Sequence, residues 1–336
     1  MERRITIKDI ARELNIHHST VSRALHNDQR VKMETQKRVL EFAAKHGYRI
    51  NMNALHLRGN TNNSIALIVP NIRHYFFTNI ISHITSLAFK KGFVISIFES
   101  NEKTEQEQEI INSIISYNFA GVIASIAKNT MNSEHFGLLR KYNIPLVFFD
   151  RVCEDLETPK VMVNNYDSAF QATEILIKKG YQRIANITGP IHLNVFRDRQ
   201  RGYIDALSTY KQGYQDHLII NKEFTIEDGK KGLLRLLDQT EKPDAILSSS
   251  SLLSIGILIK AKELGFNVPE DLALISFGDN QLSNLLEPGI TSIIQPEEEI
   301  AESCIDLIFK LIKKEYDQNY PIVKNVETKI IYRQSM

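Results

Sequence analysis

The apolar positions of the chain follow two rhythms. Across residues 6–14, Ile7, Ile10, Ala11 and Leu14 recur at helical spacing, with Thr6 where an N-cap belongs. Asn15-Ile16 interrupts that pattern. His18–Leu25 then resumes it, with Val21, Ala24 and Leu25 facing inward and Ser19, Thr20, Ser22 and Arg23 on the outer face. Asn27-Asp28 stops this second helix. A third is predicted from about Glu34 to His46, burying Val39, Leu40, Phe42 and Ala43 and closed by Gly47 in a left-handed position. After Ser64 the rhythm changes to short, continuous apolar runs. Ile65–Val69, Val94–Phe98, Gly121–Ala124 and Leu146–Phe149 read as buried parallel strands, with helices near 78–91, 104–117 and 132–142 between them. A second set comprises Val161–Val163, Ile184–Ile187, Leu218–Ile220, Ala245–Leu247 and Ala273–Ile275, with helices near 166–179, 197–210, 226–239 and 252–264. The predicted body is two doubly wound parallel sheets in series.

Charge divides the chain at the same place. The 336 residues carry a formal net charge of +1. Residues 1–60 hold 12 Lys and Arg against six acids and include five of the ten histidines, while the remainder is acidic by five charges. A basic head suited to a polyanion, attached to a body with another task, is the reading this asymmetry favours over a solvated basic face. Two short helices joined by a tight turn, with a third in support, is the layout of a helix-turn-helix DNA reader. On pattern alone a three-helix bundle with a polar surface competes with it. Short hydroxyl side chains and an arginine on an exposed helix face have the reach for base edges and phosphates in a major groove.

The residues carry a resemblance as well. Thr6-Ile7-Lys8-Asp9-Ile10-Ala11, Ser19-Thr20-Val21-Ser22-Arg23-Ala24-Leu25, Val31, Thr35 and Gly47-Tyr48 resemble, in order and spacing, the headpiece of LacI/GalR-type transcriptional regulators. His17 and His26 depart from it, standing where that family usually has Ser or Thr and often Asn. The resemblance implies DNA contacts by Thr6, His17, His18, Ser19, Thr20, Ser22, Arg23, His26, Arg30 and Thr35. It also implies a hinge helix after residue 50 that folds on DNA and enters the minor groove, with Leu57 as the wedge and Asn51 and Ala54 on the same element. A plain linker is the competing reading for 51–63, which the polar stretch Asn60–Asn63 resembles. The similarity continues through Phe149-Asp150-Arg151, Arg199-Gln200-Arg201-Gly202-Tyr203, Val268-Pro269-Glu270-Asp271 and Thr291–Gln295.

The expected organisation is a helix-turn-helix domain at 1–50, hinge and linker at 51–63, and an effector-binding and dimerisation core at 64–336. That core, of periplasmic-binding-protein-like form, divides into one subdomain of about 64–163 with 294–325 and another of about 164–293 with 326–336. Pro296–Lys314 would return to the first sheet and Val326–Tyr332 to the second. Ligands of such sheets sit at the carboxyl ends of the strands. The positions matching the family's effector contacts there are His74, Phe76 and Phe77 in the loop 71–77, together with Asp150, Arg199, Ser250, Asp279 and Gln295. Asp150 and Arg199 suit sugar hydroxyls, since charged groups make strong directional hydrogen bonds. A local Asp150–Arg151 ion pair, and subdomain core for the aromatics, compete with those roles. Ser250-Ser251 stands where the family often has Asn-Asp. Ser276-Phe277-Gly278-Asp279 stands where it often has Gly-Phe-Asp-Asp, so an acid that commonly grips sugar hydroxyls is replaced by Gly278. A ligand poorer in neutral hydroxyls, or a phosphorylated or acidic sugar, fits that change.

The expected function is a cytoplasmic, nucleoid-associated repressor of carbohydrate-utilisation genes. It would bind a pseudo-palindromic double-stranded DNA operator as a homodimer, under control of a small-molecule effector, a sugar or sugar derivative. Two alternatives stay open: a sensor whose DNA binding needs a corepressor, and an activator. No catalytic residue, cofactor or metal site is expected, because neither GxGxxG, Walker A, GxSxG nor HExxH occurs. Cys153 and Cys304 lack the spacing of a zinc site. The charged start Met1–Thr6 leads into no apolar run and no stretch is long enough to span a bilayer, so neither an export signal nor a membrane is expected. The ending Tyr332–Met336 adds no leucine heptad, so a tail-built tetramer is not expected.

Overall fold

The computed structural model describes residues 5–25, 28, 30–48, 63–213, 216–221, 223–279, 281–315 and 322–336. The chain separates into two compact units, residues 1–61 and 62–336. In the first, α1 (Ile7–Glu13), α2 (His18–Leu25) and α3 (Met33–Lys45) surround Ile10, Val21, Ala24 and Val39, all fully buried. Local chemistry sets each boundary. Thr6 Oγ1 accepts from Asp9 N at 3.3 Å and Asp9 Oδ2 accepts from Thr6 N at 2.9 Å, a reciprocal capping box at the start of α1. Asn15 adopts φ 51°, a left-handed position asparagine tolerates, and this turns the chain tightly into α2. His17 takes the capping place of α2. Its carbonyl accepts from Val21 N at 3.2 Å, and its ring Nδ1 accepts from Ser19 N at 3.3 Å. Gly47, at φ 63°, closes α3. One inward assignment fails: Leu40 is 42% exposed, because Val39, Phe42 and Ala43 already fill the stripe facing α1 and α2.

The second unit holds two six-stranded sheets. The first sheet contains β1 (Ser64–Val69), β2 (Val94–Glu99), β3 (Gly121–Ala124), β4 (Leu146–Phe149), β5 (Lys160–Val163) and β11 (Val323–Val326), in the order β11-β5-β4-β3-β1-β2 and parallel throughout. Its helices are α4 (Tyr75–Lys90), α5 (Thr104–Ser116), α6 (Glu134–Lys141) and α12 (Glu297–Ile312). The continuous apolar runs follow from burial on both faces, except Val94–Phe98, which forms the edge strand β2 and leaves Val94 and Ile97 exposed because no described strand covers that edge. Ile65, Leu67 and Val69 point to α4 and α12, while Ala66 and Ile68 point to α5 and α6. Val161–Val163 belongs to the first sheet, as the 64–163 subdomain expects and its grouping with the second set of strands does not: β5 pairs with β4 and β11.

The second sheet runs β12-β10-β9-β8-β6-β7, from β6 (Ile184–Thr188), β7 (Ile219–Asn221), β8 (Ala245–Ser248), β9 (Ala273–Phe277), β10 (Thr291–Ile294) and β12 (Lys329–Ile331). Only β12 is antiparallel to its neighbour, and α7 (Asn165–Lys178), α8 (Asn194–Thr209), α9 (Ile226–Leu237), α10 (Ser251–Glu263) and the short α11 (Gln281–Leu285) belong with this sheet. The chain passes between the sheets after Val163, after Ile294 and after Val326. Two of these crossings are pinned together, with Asn164 N donating to Val326 O at 3.2 Å and the Ser168 and Thr328 hydroxyls 2.6 Å apart. The helices α9 and α10 meet at glycines. A Cβ on Gly256 would overlap the Ile226 carbonyl and lie 3.1 Å from Gly229 Cα.

Candidate functional site

On the head, Thr6, His17, His18 and Arg23 are exposed, and Ser19, Thr20, Ser22 and Thr35 are half-buried. Ser19 is held by its neighbour, its Oγ 2.8 Å from His17 Nδ1. Arg30 is engaged within the head, its Nε 3.0 Å from Asp28 Oδ1 and its Nη2 2.7 Å from Oδ2. That pairing holds the Asp28 carboxyl down to about 2. His26, Asn51, Ala54 and Leu57 lie outside the described residues.

In the body, the carboxyl ends of both sheets open onto one cleft. His74, Phe76, Phe77, Asp150, Arg199 and Gln295 all line it, as do Ser250 and Asp279. Each is delivered by a loop directly after a strand or by the first two turns of a helix. Asp150 follows β4 in a left-handed conformation, φ 58°. Its backbone carbonyl accepts from Asn194 Nδ2 at 3.0 Å, so the turn is anchored across the cleft to α8. Burial pushes the Asp150 carboxyl up, against the opposing pull of Arg151 and Arg199. Its local partner is weak: Arg151 Nε is 4.0 Å from Asp150 Oδ2, whereas Arg151 Nη1 reaches Glu102 Oε2 at 2.9 Å and Oε1 at 3.1 Å.

Arg199 is only 6% exposed. Its Nε donates to Asn165 Oδ1 and its Nη1 to Ser249 O, both at 2.8 Å, and its guanidinium lies 4.2 Å from the Phe277 ring centroid. Burial, with Arg151 nearby, brings it down to about 10. The same burial, reinforced by both arginines, holds His74 down to about 4, so that ring is neutral at physiological pH. Asp279 is bound by Arg333 at 2.7 and 3.2 Å, a partner the reading from sequence did not include. Among the described residues, four buried polar atoms on this cleft lack a hydrogen-bond partner: His74 Nδ1, Ser249 Oγ, Ser250 Oγ and Gln295 Nε2. Native interiors rarely leave such groups unpaired.

Sequence reasoning missed Arg151 as a wall of the cleft, and with it Phe196, Phe224, Ser249, Phe277 and Glu297. Phe224 sits in the loop after an edge strand, where nothing in the local pattern marks it. Phe196 and Phe224 stack at 5.5 Å between centroids. Contacts also join the two subdomains across the cleft mouth. Lys128 Nζ lies 2.6 Å from Glu223 Oε2, Arg197 binds Glu154 at 2.7 and 2.8 Å, and His192 Nε2 is 2.6 Å from the Lys128 carbonyl.

A model of bacterial regulatory proteins of the lacI family matches residues 6–51, and one of the periplasmic binding protein-like domain matches residues 173–336. Over 304 residues, 90% of this chain and 88% of the relative, the sequence is 31% identical to the HTH-type transcriptional repressor CytR of Escherichia coli (strain K12). The chain belongs to the LacI family. It is 30% identical over 311 residues to catabolite control protein A of Staphylococcus xylosus, covering 93% of each chain. Its fold matches that of the Lac repressor dimer bound to operator and the anti-inducer ONPF, with TM-score 0.88, 19% identity and 99% of each chain covered. The transcriptional regulator CelR–cellobiose complex matches at TM-score 0.76 and 23% identity, over 99% of this chain and 100% of that one. As a LacI-family member the protein is a DNA-binding transcriptional regulator, with a helix-turn-helix head and a periplasmic-binding-protein-like body. Among the described residues no helix is long and apolar enough to cross a membrane.

Proposed function

We propose that the protein is a repressor of carbohydrate-utilisation genes whose operator affinity is set by a small sugar or sugar derivative in the body cleft. The observation that carries this is the cleft itself, where buried polar atoms without protein partners sit among aromatic faces and two buried arginines. That combination holds a small polar ligand by stacking and directional hydrogen bonds. The Ser19–Arg23 face of α2 reads bases in the major groove, and the basic surplus of the head makes binding salt-dependent. Segment 51–58 serves as the hinge, with Asn51, Ala54 and Leu57 at the minor groove.

The working unit in this reading is a homodimer matched to a pseudo-palindrome, one head per half-site. Edge strand β2 and the end of α4 expose Val94, Ile97 and Phe89, the last at 77%, an apolar band suited to a second copy of the chain. Ligand changes the angle between the two subdomains, which engages or releases the paired hinges. The cross-cleft ion pairs Lys128–Glu223 and Arg197–Glu154 belong to the closed arrangement. The body acts as a sensor rather than an enzyme, and the protein works in the cytoplasm, where its operator is. The test is selection from random DNA by the full-length protein, with and without pooled sugars and sugar phosphates. Enrichment of one palindrome, altered by the pool, is expected. A folded dimer that enriches no sequence in either condition refutes the reading.

A further inference from the structure

One end of the cleft is rich in hydrogen-bond donors. Helix α10 begins there, and its N-cap residue Ser250 makes no side-chain capping bond. The first helical bond runs from Ser254 N to Ser250 O at 3.1 Å, so the N–H groups of Ser251, Leu252 and Leu253 precede the hydrogen-bonded ladder. Beside them lie the unpartnered Ser249 and Ser250 hydroxyls and the unpartnered Gln295 Nε2, on side chains more than nine-tenths buried. Arg199 adjoins the same place through its bond to the Ser249 carbonyl and retains guanidinium donors beyond those given to Asn165 and Ser249.

The carboxylates on this cleft, Asp150, Asp279 and Glu297, each face partners of their own. Gly278 has φ 74°, and a Cβ built on it would lie 3.7 Å from Gln295 Oε1 and 4.0 Å from Ser251 Oγ. An acidic side chain at 278 would start beside the Gln295 amide oxygen and Ser251 Oγ at the head of α10, and glycine leaves that space clear. The neighbouring Asp279 carboxylate is spent on both Nη atoms of Arg333. Asp150 stands between Arg151 and Arg199 and also faces the Gln295 side chain.

A neutral hydroxyl both donates and accepts, whereas the first turn of α10 and Arg199 offer donors only. A carboxylate offers about four acceptor sites in one plane. The donors of α10, the two serines, Gln295 and Arg199 come from separate elements, which suits a tetrahedral group with three oxygens. Helix N-termini and arginine are the two protein features that favour such anions most strongly. We infer that this end of the cleft binds the phosphate of a phosphorylated effector, a phosphate monoester whose remaining body stacks against the aromatic walls. The inference rests on the reading of the cleft as the effector site.

Inorganic phosphate is the probe, with chloride at matched ionic strength as the control, on the full chain. Calorimetric titration and thermal unfolding are the readouts. Phosphate is expected to bind and, at about 50 times its Kd, to raise the unfolding midpoint by about 5 °C over chloride. An equal midpoint in both salts, with no heat of binding, overturns the inference. The double variant Ser249→Ala/Ser250→Ala is expected to bind phosphate at least about tenfold more weakly. Its midpoint without phosphate should hold or rise, since two unpaired buried hydroxyls are removed. Unchanged affinity in that folded variant also overturns it. A second variant, Gly278→Asp, should abolish the phosphate response by placing a carboxylate beside Ser251 at the start of α10. Neutral sugars that bind as tightly as their phosphates would overturn the phosphate assignment while leaving the cleft as the effector site. Binding by neither class would overturn both.

Discussion

Replacing Gly256 by alanine tests whether close backbone approach fixes the wall of the cleft. The added Cβ would lie 2.9 Å from the Ile226 carbonyl carbon and 3.1 Å from Gly229 Cα, besides overlapping the Ile226 oxygen. Carbon atoms in good contact sit roughly 3.5–4.0 Å apart, and the overlap with the Ile226 oxygen is tighter still, so α9 and α10 must part by at least about 1 Å. Overpacking of a core costs about 1–3 kcal/mol, and the upper end applies because the obstructing atoms are backbone and have no rotamer to change. In a domain near this size each kcal/mol moves the midpoint by about 2–4 °C, so a fall of about 6–12 °C is expected for the body. Circular dichroism or calorimetry on the full chain measures it. The same variant should weaken phosphate binding, because α10 carries Ser250 and Ser251 at its start. A midpoint within about 2 °C of the parent would refute the argument, showing that the two helices separate without cost.

The head and the cleft give three further tests. Arg23→Ala should weaken specific operator binding by about 1–3 kcal/mol and relax the sequence preference; unchanged discrimination against random DNA removes Arg23 from base readout. Asp28→Asn should release Arg30 from the pairs at 2.7 and 3.0 Å, steepening the slope of log K against log salt by about 0.9; an unaltered slope means Arg30 does not reach a phosphate. His74 is held to about 4 against its usual 6.5, so below pH 6.5 the unfolded chain takes up a proton that the folded chain refuses until about 4. Stability should therefore fall as pH drops through that window, by at most about 1.4 kcal/mol per pH unit. His74→Gln should flatten that fall in thermal unfolding between pH 7 and 5, and an unchanged slope assigns it elsewhere.

Local physics was legible in the chain. The Thr6–Asp9 capping box and the closing Gly47 act within four residues of their own helices, so each can be read from a short stretch of sequence. The apolar runs Ile65–Val69 and Ala245–Leu247 announce strands covered on both faces, and charge alone separates the head from the body. The eight cleft residues came through the family resemblance, whose motifs sit at strand ends.

What only the tertiary structure decided involves partners distant in sequence. Val161–Val163 has the composition of any buried strand; the resemblance set it inside the 64–163 subdomain, and its place between β4 and β11 is fixed by pairing alone. Arg151 looks paired with Asp150 beside it, yet the fold gives it Glu102, 49 positions away. Asp279 looks free for a ligand until Arg333 folds onto it. Whether Ser249 and Ser250 are surface hydroxyls or unpaired donors in a cleft depends on α10 closing over β8 and on Arg199 arriving from α8. Burial and charge at a site are sums over neighbours that the backbone brings together, and no local window of sequence contains those neighbours.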